Sequence, residues 1–303
     1  MTLLTALRPS TRHQLTDAVR SIAWSPTGRL LAIGADGRAS RNGSDELTAP
    51  IGPDPIGCCW AAVDRVAVLD GVVGVVMAGG GAVSVAHQPG AGAVAAATVP
   101  SSSVARAAYC VAVGGAGLSV LDVDQADGST PMTVPTGRLR VAAHLGGAIW
   151  AAGGSDGLCV VDVALGCIDQ RVELPGVSTL AAAPGVGMLA AADASGAIHV
   201  LDLARLEHGT ELTGYPDAVR HLAISPLGDF VVAGADDELT WWTIGRDGRV
   251  ADEPECSIGH DTAITSCAVG AGNFVASGDA DGVVRLWSPR LRDLPVASLH
   301  LDG

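Results

Sequence analysis

Gly153-Gly154-Ser155-Asp156-Gly157 has the G-x-S-x-G spacing of a hydrolase nucleophile. In that setting the serine sits on a strained elbow between a strand and a helix, beside an oxyanion hole. Here the following residues, Gly157 to Val163 (GLCVVDV), read as another strand, so a turn is the better reading. Gly185 to Ala190 (GVGMLA) imitates a dinucleotide fingerprint, but no helical pattern follows to offer an N-terminus to a pyrophosphate. Asp122, Asp124, Asp127 and Gly128 have the composition of a calcium loop. The third carboxylate falls one position late for D-x-D-x-D-G, and misplaced ligands cannot close around a hard cation.

The remaining reactive side chains are scattered. Of the seven cysteines, Cys58 and Cys59 are adjacent, so on a strand they point to opposite faces and form no C-x-x-C clamp. Cys110, Cys159 and Cys267 lie inside apolar runs, where a reduced thiol behaves as a small hydrophobe. His144, His199, His221 and His260 lie in or beside strand-like runs, with no pairing at metal-ligand spacing. No catalytic residue, metal or cofactor is expected from these patterns.

The chain has 303 residues, 48% of them hydrophobic, and a mean hydropathy of +0.36, which permits a large core and carries no signature of disorder. Aromatics are only 3% while Gly alone counts 40, so the apolar content is mostly Ala, Val and Leu, as sheets packed face to face near a crowded axis require. All 18 basic residues are Arg, which points to a GC-rich genome more than to a function. Against 32 acidic residues they leave a formal charge of −14, which repels phosphate backbones and anionic membranes; neither nucleic acid nor a membrane is expected as a partner. The segment MTLLTALRPSTRH lacks the charged and apolar regions of a secretory signal, and a cytoplasmic location is expected.

The elements that would position any site are short strands. Gly259 to Ser288 (GHDTAITSCAVGAGNFVASGDADGVVRLWS) divides into apolar runs split first by Gly270 to Gly272 and then by Asp279 to Gly282, a tight Asp-Gly turn. Ala218 to Trp242 is a second copy, and it matches Ala18 to Gly37 at an offset of 200 (218 − 18) without a gap. Gly117 to Val123 (GLSVLDV), Gly157 to Val163 and Gly196 to Leu203 (GAIHVLDL) repeat a third strand, the first two 40 apart (157 − 117). First strands are therefore expected near Ala18, Ile56, Gly92, Arg138, Val177, Ala218 and Ala263, with no long helix. Gly71 to Val85 is too short to span a membrane and reads as two strands.

Gly259-His260 at the start of the last repeat and Leu286-Trp287-Ser288 at its end resemble a WD repeat, one blade of a β-propeller. The resemblance implies an all-β fold, a seven-bladed β-propeller of four-stranded antiparallel blades in a single domain. It also implies a hydrogen-bonded structural chain of His, Ser or Thr, Asp and Trp, for which the matching residues are His260, Ser277, Asp281 and Trp287. A His between a carboxylate and a hydroxyl is how such a staple must look, and stapling is preferred here over catalysis. To close the ring, Arg12 to Thr16 is favoured over Pro295 to Leu301 as the outer strand of the seventh blade.

The turns between second and third strands would place Asp36, Asp70, Asp156, Asp193, Asp236, Asp237, Asp279 and Asp281 on one rim. Asp is a good turn residue in its own right, yet together these carboxylates would make a negative field that attracts a basic protein surface. Arg20, Arg140 and Arg220, near the starts of first strands, would interrupt it. Bacterial WD-repeat proteins of this kind act as adaptors in multi-protein systems, so the resemblance implies a protein-protein interaction scaffold. The partner-binding candidates are Arg20, Asp36, Arg140, Asp156, Arg220, Asp237 and Asp281. The alternative is an enzyme or small-molecule binder that uses the axial mouth of the propeller.

Overall fold

In the computed structural model the apolar runs form antiparallel strands joined by Gly- and Asp-rich turns. The structure describes residues 17–25, 28–36, 138–174, 176–206, 208–245, 248–258, 260–270, 272–288 and 297–300, together with the strands between 39 and 134. Among these residues the strands make seven four-stranded sheets, each assembled from consecutive strands. Sheet I holds β1 (Val19–Trp24), β2 (Leu30–Gly34), β3 (Ala39–Arg41) and β4 (Asp45–Glu46); sheet II holds β5 (Gly57–Trp60), β6 (Arg65–Leu69), β7 (Val73–Met77) and β8 (Ala82–Val85). Sheet III comprises β9 (Ala96–Thr98), β10 (Tyr109–Gly114), β11 (Gly117–Asp122) and β12 (Met132–Val134). Sheet IV comprises β13 (Leu139–Gly146), β14 (Ile149–Gly154), β15 (Gly157–Asp162) and β16 (Cys167–Val172). In sheet V are β17 (Val177–Ala183), β18 (Met188–Asp193), β19 (Ile198–Asp202) and β20 (His208–Leu212), and in sheet VI β21 (His221–Ile224), β22 (Phe230–Ala235), β23 (Glu238–Thr243) and β24 (Glu255–Ile258). Sheet VII closes the sequence with β25 (Ile264–Val269), β26 (Val275–Asp279), β27 (Val283–Trp287) and β28 (Ala297–His300). The only helix among the described residues is one 3-10 turn, Pro184–Val186.

The core lies between sheets, not within them. One cluster joins Ala190, Ile198 and Val200 of sheet V to Leu222, Val231 and Trp242 of sheet VI; another joins Ala143, Ala151 and Leu158 of sheet IV to Leu180, Leu189 and Leu201 of sheet V. Sheet VII packs in the same way against sheet I, Ala276, Val284 and Leu286 meeting Val19, Ile22, Leu30 and Ala32. Across that seam the Ile22 N–H donates to Ser266 Oγ at 3.0 Å and Trp24 Nε1 donates to the Ala268 carbonyl at 3.3 Å.

Close approach explains part of the glycine content. Near the end of the second strand in sheets IV, VI and VII stands a glycine, Gly153, Gly234 or Gly278, against the first apolar residue of the next sheet. A Cβ there would sit 2.6 Å from Val177 Cγ1, 3.1 Å from Ile264 Cγ2 and 2.5 Å from Val19 Cγ1 respectively. At these three positions a residue without a side chain lets neighbouring sheets meet this tightly.

The outer strand of sheet VII corrects an expectation. β28 ladders onto β27 with Val283 opposite His300 and Leu286 opposite Ala297, so the C-terminal segment takes the free edge of β27. The favoured segment, Arg12 to Thr16, lies outside the described residues.

Candidate interaction rim and buried staples

An antiparallel meander of four strands puts its second-to-third-strand turn on the same edge as the entry to its first strand. Hydrogen bonds tie the two together in three sheets: Ala35 N to Ala18 O, Ala194 N to Gly176 O and Ala280 N to Ala263 O, at 2.9, 3.2 and 3.0 Å. This edge is called the Asp rim below; the first-to-second and third-to-fourth turns form the opposite rim.

Arg20, Arg140 and Arg220 occupy one equivalent position. The ladder skips a residue between Val19 and Ser21 and between Leu139 and Val141, so Arg20 and Arg140 are bulged, and Arg220 immediately precedes β21. A bulge re-aims the side chain. All three arginines are exposed. The same position in sheets V and VII holds Ser178 and Thr265, which bond inward: Ser178 Oγ donates to the Val219 carbonyl at 2.8 Å and Thr265 Oγ1 to the Gly278 carbonyl at 3.2 Å.

The turn carboxylates divide into two groups. Asp156, Asp236 and Asp281 are exposed, and Asp36 and Asp237 are half-buried. Asp193 and Asp279, expected on the rim, are instead 2% and 1% exposed. Each uses one oxygen to close its own turn: Asp193 Oδ1 accepts the N–H groups of Ser195 and Ala197, and Asp279 Oδ1 those of Asp281 and Val283. The other oxygen holds a histidine, at 2.8 Å from His199 Nε2 and 2.7 Å from His260 Nδ1. Asp70 lies outside the described residues.

The staple therefore contains Asp279 and not Asp281. Asp281 contributes only its backbone N–H, because a carboxylate two residues earlier already caps the turn and points back toward the first strand. From Asp279 the chain continues through His260 Nε2 to Ser277 Oγ at 2.6 Å, where Trp287 Nε1 donates at 2.7 Å. The proton positions follow from the inventory of donors. The carboxylate only accepts, so His260 donates from Nδ1, accepts from the Ser277 hydroxyl at Nε2, and leaves the serine oxygen to accept the indole N–H. Burial keeps His260 below its ordinary pKa, against the opposing pull of Asp279. The neutral tautomer this chain requires is the favoured one.

The staple lies within a stretch that resembles a known repeat. Three stretches match the family model described as WD domain, G-beta repeat. They are residues 6–40, 207–243 and 253–288, and they support a WD-repeat family. The second and third stretches span the outer strand of one sheet and the first three strands of the next, so the WD repeat of the sequence links two neighbouring sheets. WD repeats generally mediate protein-protein interactions. No curated protein matches the chain.

A WD staple is rebuilt with other residues in sheet VI. Tyr215 stands where the last repeat has His260, and its hydroxyl accepts Trp242 Nε1 at 2.9 Å and meets Thr240 Oγ1 at 2.5 Å. Sequence reading missed Tyr215 and Thr240, since neither belongs to the motif; the signal was the alignment of Gly214-Tyr215 with Gly259-His260. In sheets IV and V the third strand ends in an Asp, Asp162 or Asp202. Asp162 Oδ1 accepts the N–H groups of Ala164 and Leu165, and Asp202 Oδ1 that of Ala204.

The other reactive groups are quiet. Gly154 and Gly157 flank a two-residue turn of exposed Ser155 and Asp156 between β14 and β15. Burial raises the Cys159 thiol and pushes Cys267 up to about 12, so neither is a thiolate at neutral pH. Among the described residues no helix is long and apolar enough to cross a membrane.

Proposed function

We propose that the seven sheets are the blades of one closed propeller domain, a non-catalytic scaffold that binds a partner protein on its Asp rim. The binding residues are Arg20, Asp36, Arg140, Asp156, Arg220, Asp237 and Asp281, and the partner presents a basic surface. Packing of sheet VII against sheet I supports the ring. The observation that carries the interaction reading is the division of polar groups. The Ser277-His260-Asp279 array is sealed in the core, whereas Asp156, Asp236 and Asp281 are exposed on turns of one edge, in sheets IV, VI and VII.

Converging carboxylates focus a field and raise the association rate, and exposed charges farther apart than about 8–10 Å are screened at physiological ionic strength. The test is purification of bound proteins from the native host with the parent chain and with Asp36→Asn/Asp156→Asn/Asp237→Asn, at low and raised salt. The expected result is a basic partner lost both with salt and with the triple change, at an unchanged melting temperature. A partner held equally by both chains and at both salt concentrations would remove the Asp rim from the interface.

A further inference from the structure

Among the described residues three large hydrophobic side chains stand out of the surface: Leu165 (76% exposed), Val186 (44%) and Leu227 (69%). All three lie on turns of the opposite rim, in sheets IV, V and VI. Val186 and Leu227 line a cleft of about 450 Å³ between sheets V and VI, together with Met188 and Ile244. A second cleft, of about 460 Å³, lies between sheets VI and VII and shares Ile244 and Asp229 with the first.

Among the described residues the ionisable side chains lining these clefts are Asp202, Asp229 and Glu255, with no arginine or histidine. The Asp229 carboxylate accepts from neutral donors, the Ser225 hydroxyl and, at 2.7 Å, Asn273 Nδ2. That of Asp202 accepts the Ala204 N–H. Among the described residues neither carboxylate meets a cation. Arg205 and Arg249 belong to turns of the same rim but not to the lining. An apolar patch edged by the carboxylates of Asp202 and Asp229 is attractive to a ligand that is aliphatic and cationic at once.

We propose that this cleft receives an extended segment of a partner protein that carries an aliphatic side chain next to a Lys or Arg. The aliphatic group covers Val186, Met188 and Leu227, and the cation meets Asp202 and Asp229. This surface lies on the edge away from the Asp rim, so it is a second and independent interface.

The experiment is selection of a phage-displayed random dodecapeptide library on the full chain, after depletion on Val186→Ser/Leu227→Ser. Both changes are at exposed positions, and a thermal melt verifies that the variant is folded. Surviving sequences are expected to pair Leu, Ile, Val or Met with Lys or Arg. A synthetic survivor peptide should bind the depleting variant roughly tenfold or more weakly, which corresponds to one decade in Kd. Binding to Asp202→Asn, which keeps the cap on Ala204, should fall by about threefold, within what an exposed charge contributes. Asp36→Asn/Asp156→Asn/Asp237→Asn should bind it as the parent does, so failure here and failure at the Asp rim are distinguishable. No survivors, survivors that are acidic or lack an aliphatic residue, or a peptide whose affinity is insensitive to the cleft changes would each overturn the proposal.

Discussion

Ser277, His260 and Asp279 stand in the order and at the distances of a nucleophilic triad, yet the serine has no access to a substrate. Its oxygen is fully buried and already accepts the Trp287 indole N–H. The array therefore contributes to stability, and each link can be tested. Trp287→Ala, a large-to-small change at a 2% exposed site, should cost about 3–5 kcal/mol. Ser277→Ala, which strands the imidazole and the indole together, should cost about 1–3 kcal/mol. Denaturant titration measures both, and a Trp287→Ala midpoint equal to the parent's would dismiss the staple. A fluorophosphonate serine label should leave the folded chain unmodified.

Histidine burial also sets a pH dependence. His221 is lowered from an ordinary 6.5 to about 4, first by burial and then by Arg220, with only a bond to the Ile264 backbone opposing. Burial lowers His144 and His260 as well. A group whose folded pKa is depressed takes up its proton more readily when unfolded. Its contribution is complete above about pH 6.5 and is lost as pH falls through the folded value. For His221 that loss is roughly 3 kcal/mol by pH 4. Melting temperature should fall steadily from pH 7 to pH 4 and fall less in His221→Gln. Asp193, held low by His199 and the N–H groups of its turn against the penalty of burial, adds its own loss only below the ordinary carboxylate range. A flat profile between pH 7 and 4 would contradict the account of His221.

At the scale of elements, alternation and turn residues placed the strands well: first strands expected at Arg138, Val177 and Ala263 begin at Leu139, Val177 and Ile264. They did so because a half-buried strand and an Asp-Gly turn each leave a local trace. What local pattern could not show is which of two nearby carboxylates turns inward. Asp279 and Asp281 are both turn residues by type, and only the geometry of the turn aims the first at His260. The clefts of the opposite rim were equally illegible, since Val186 and Leu227 come from turns 41 residues apart (227 − 186). The two kinds of turn Asp predict different outcomes. Asp193→Ala removes the acceptor of two backbone N–H groups and of His199, and should cost about 2–4 kcal/mol. Asp156→Ala, exposed and bonded only to Ser155, should change stability by less than about 0.5 kcal/mol. Similar losses from the two substitutions would mean that Asp193 closes nothing.

Among the described residues, the seam between sheets VII and I packs together residues far apart in sequence. Val19 and Gly278 meet there, and the Trp24 ring lies 2.5 Å from where a Cβ on Gly270 would stand. The seams of sheet V with sheets IV and VI join sheets that are adjacent along the chain, so loss of contact there is partly restored by the short connection. At this seam no short connection backs up the packing and the two hydrogen bonds that cross it, and an opening would expose β1 and the apolar faces of both. Gly278→Ala forces a methyl group into Val19 and should cost about 1–3 kcal/mol by overpacking. Gly153→Ala places the same methyl against Val177, 2.6 Å away, at a seam inside the chain. Equal destabilisation is expected from the local clash, with a further difference in how it spreads. In Gly278→Ala, amide hydrogen exchange should accelerate in β1 and β25 at denaturant concentrations too low for global unfolding, whereas Gly153→Ala should show no such local opening. Exchange in β1 and β25 that tracks global unfolding in both variants would mean that the seam is no weaker than its neighbours, and that the packed sheets yield as a single unit.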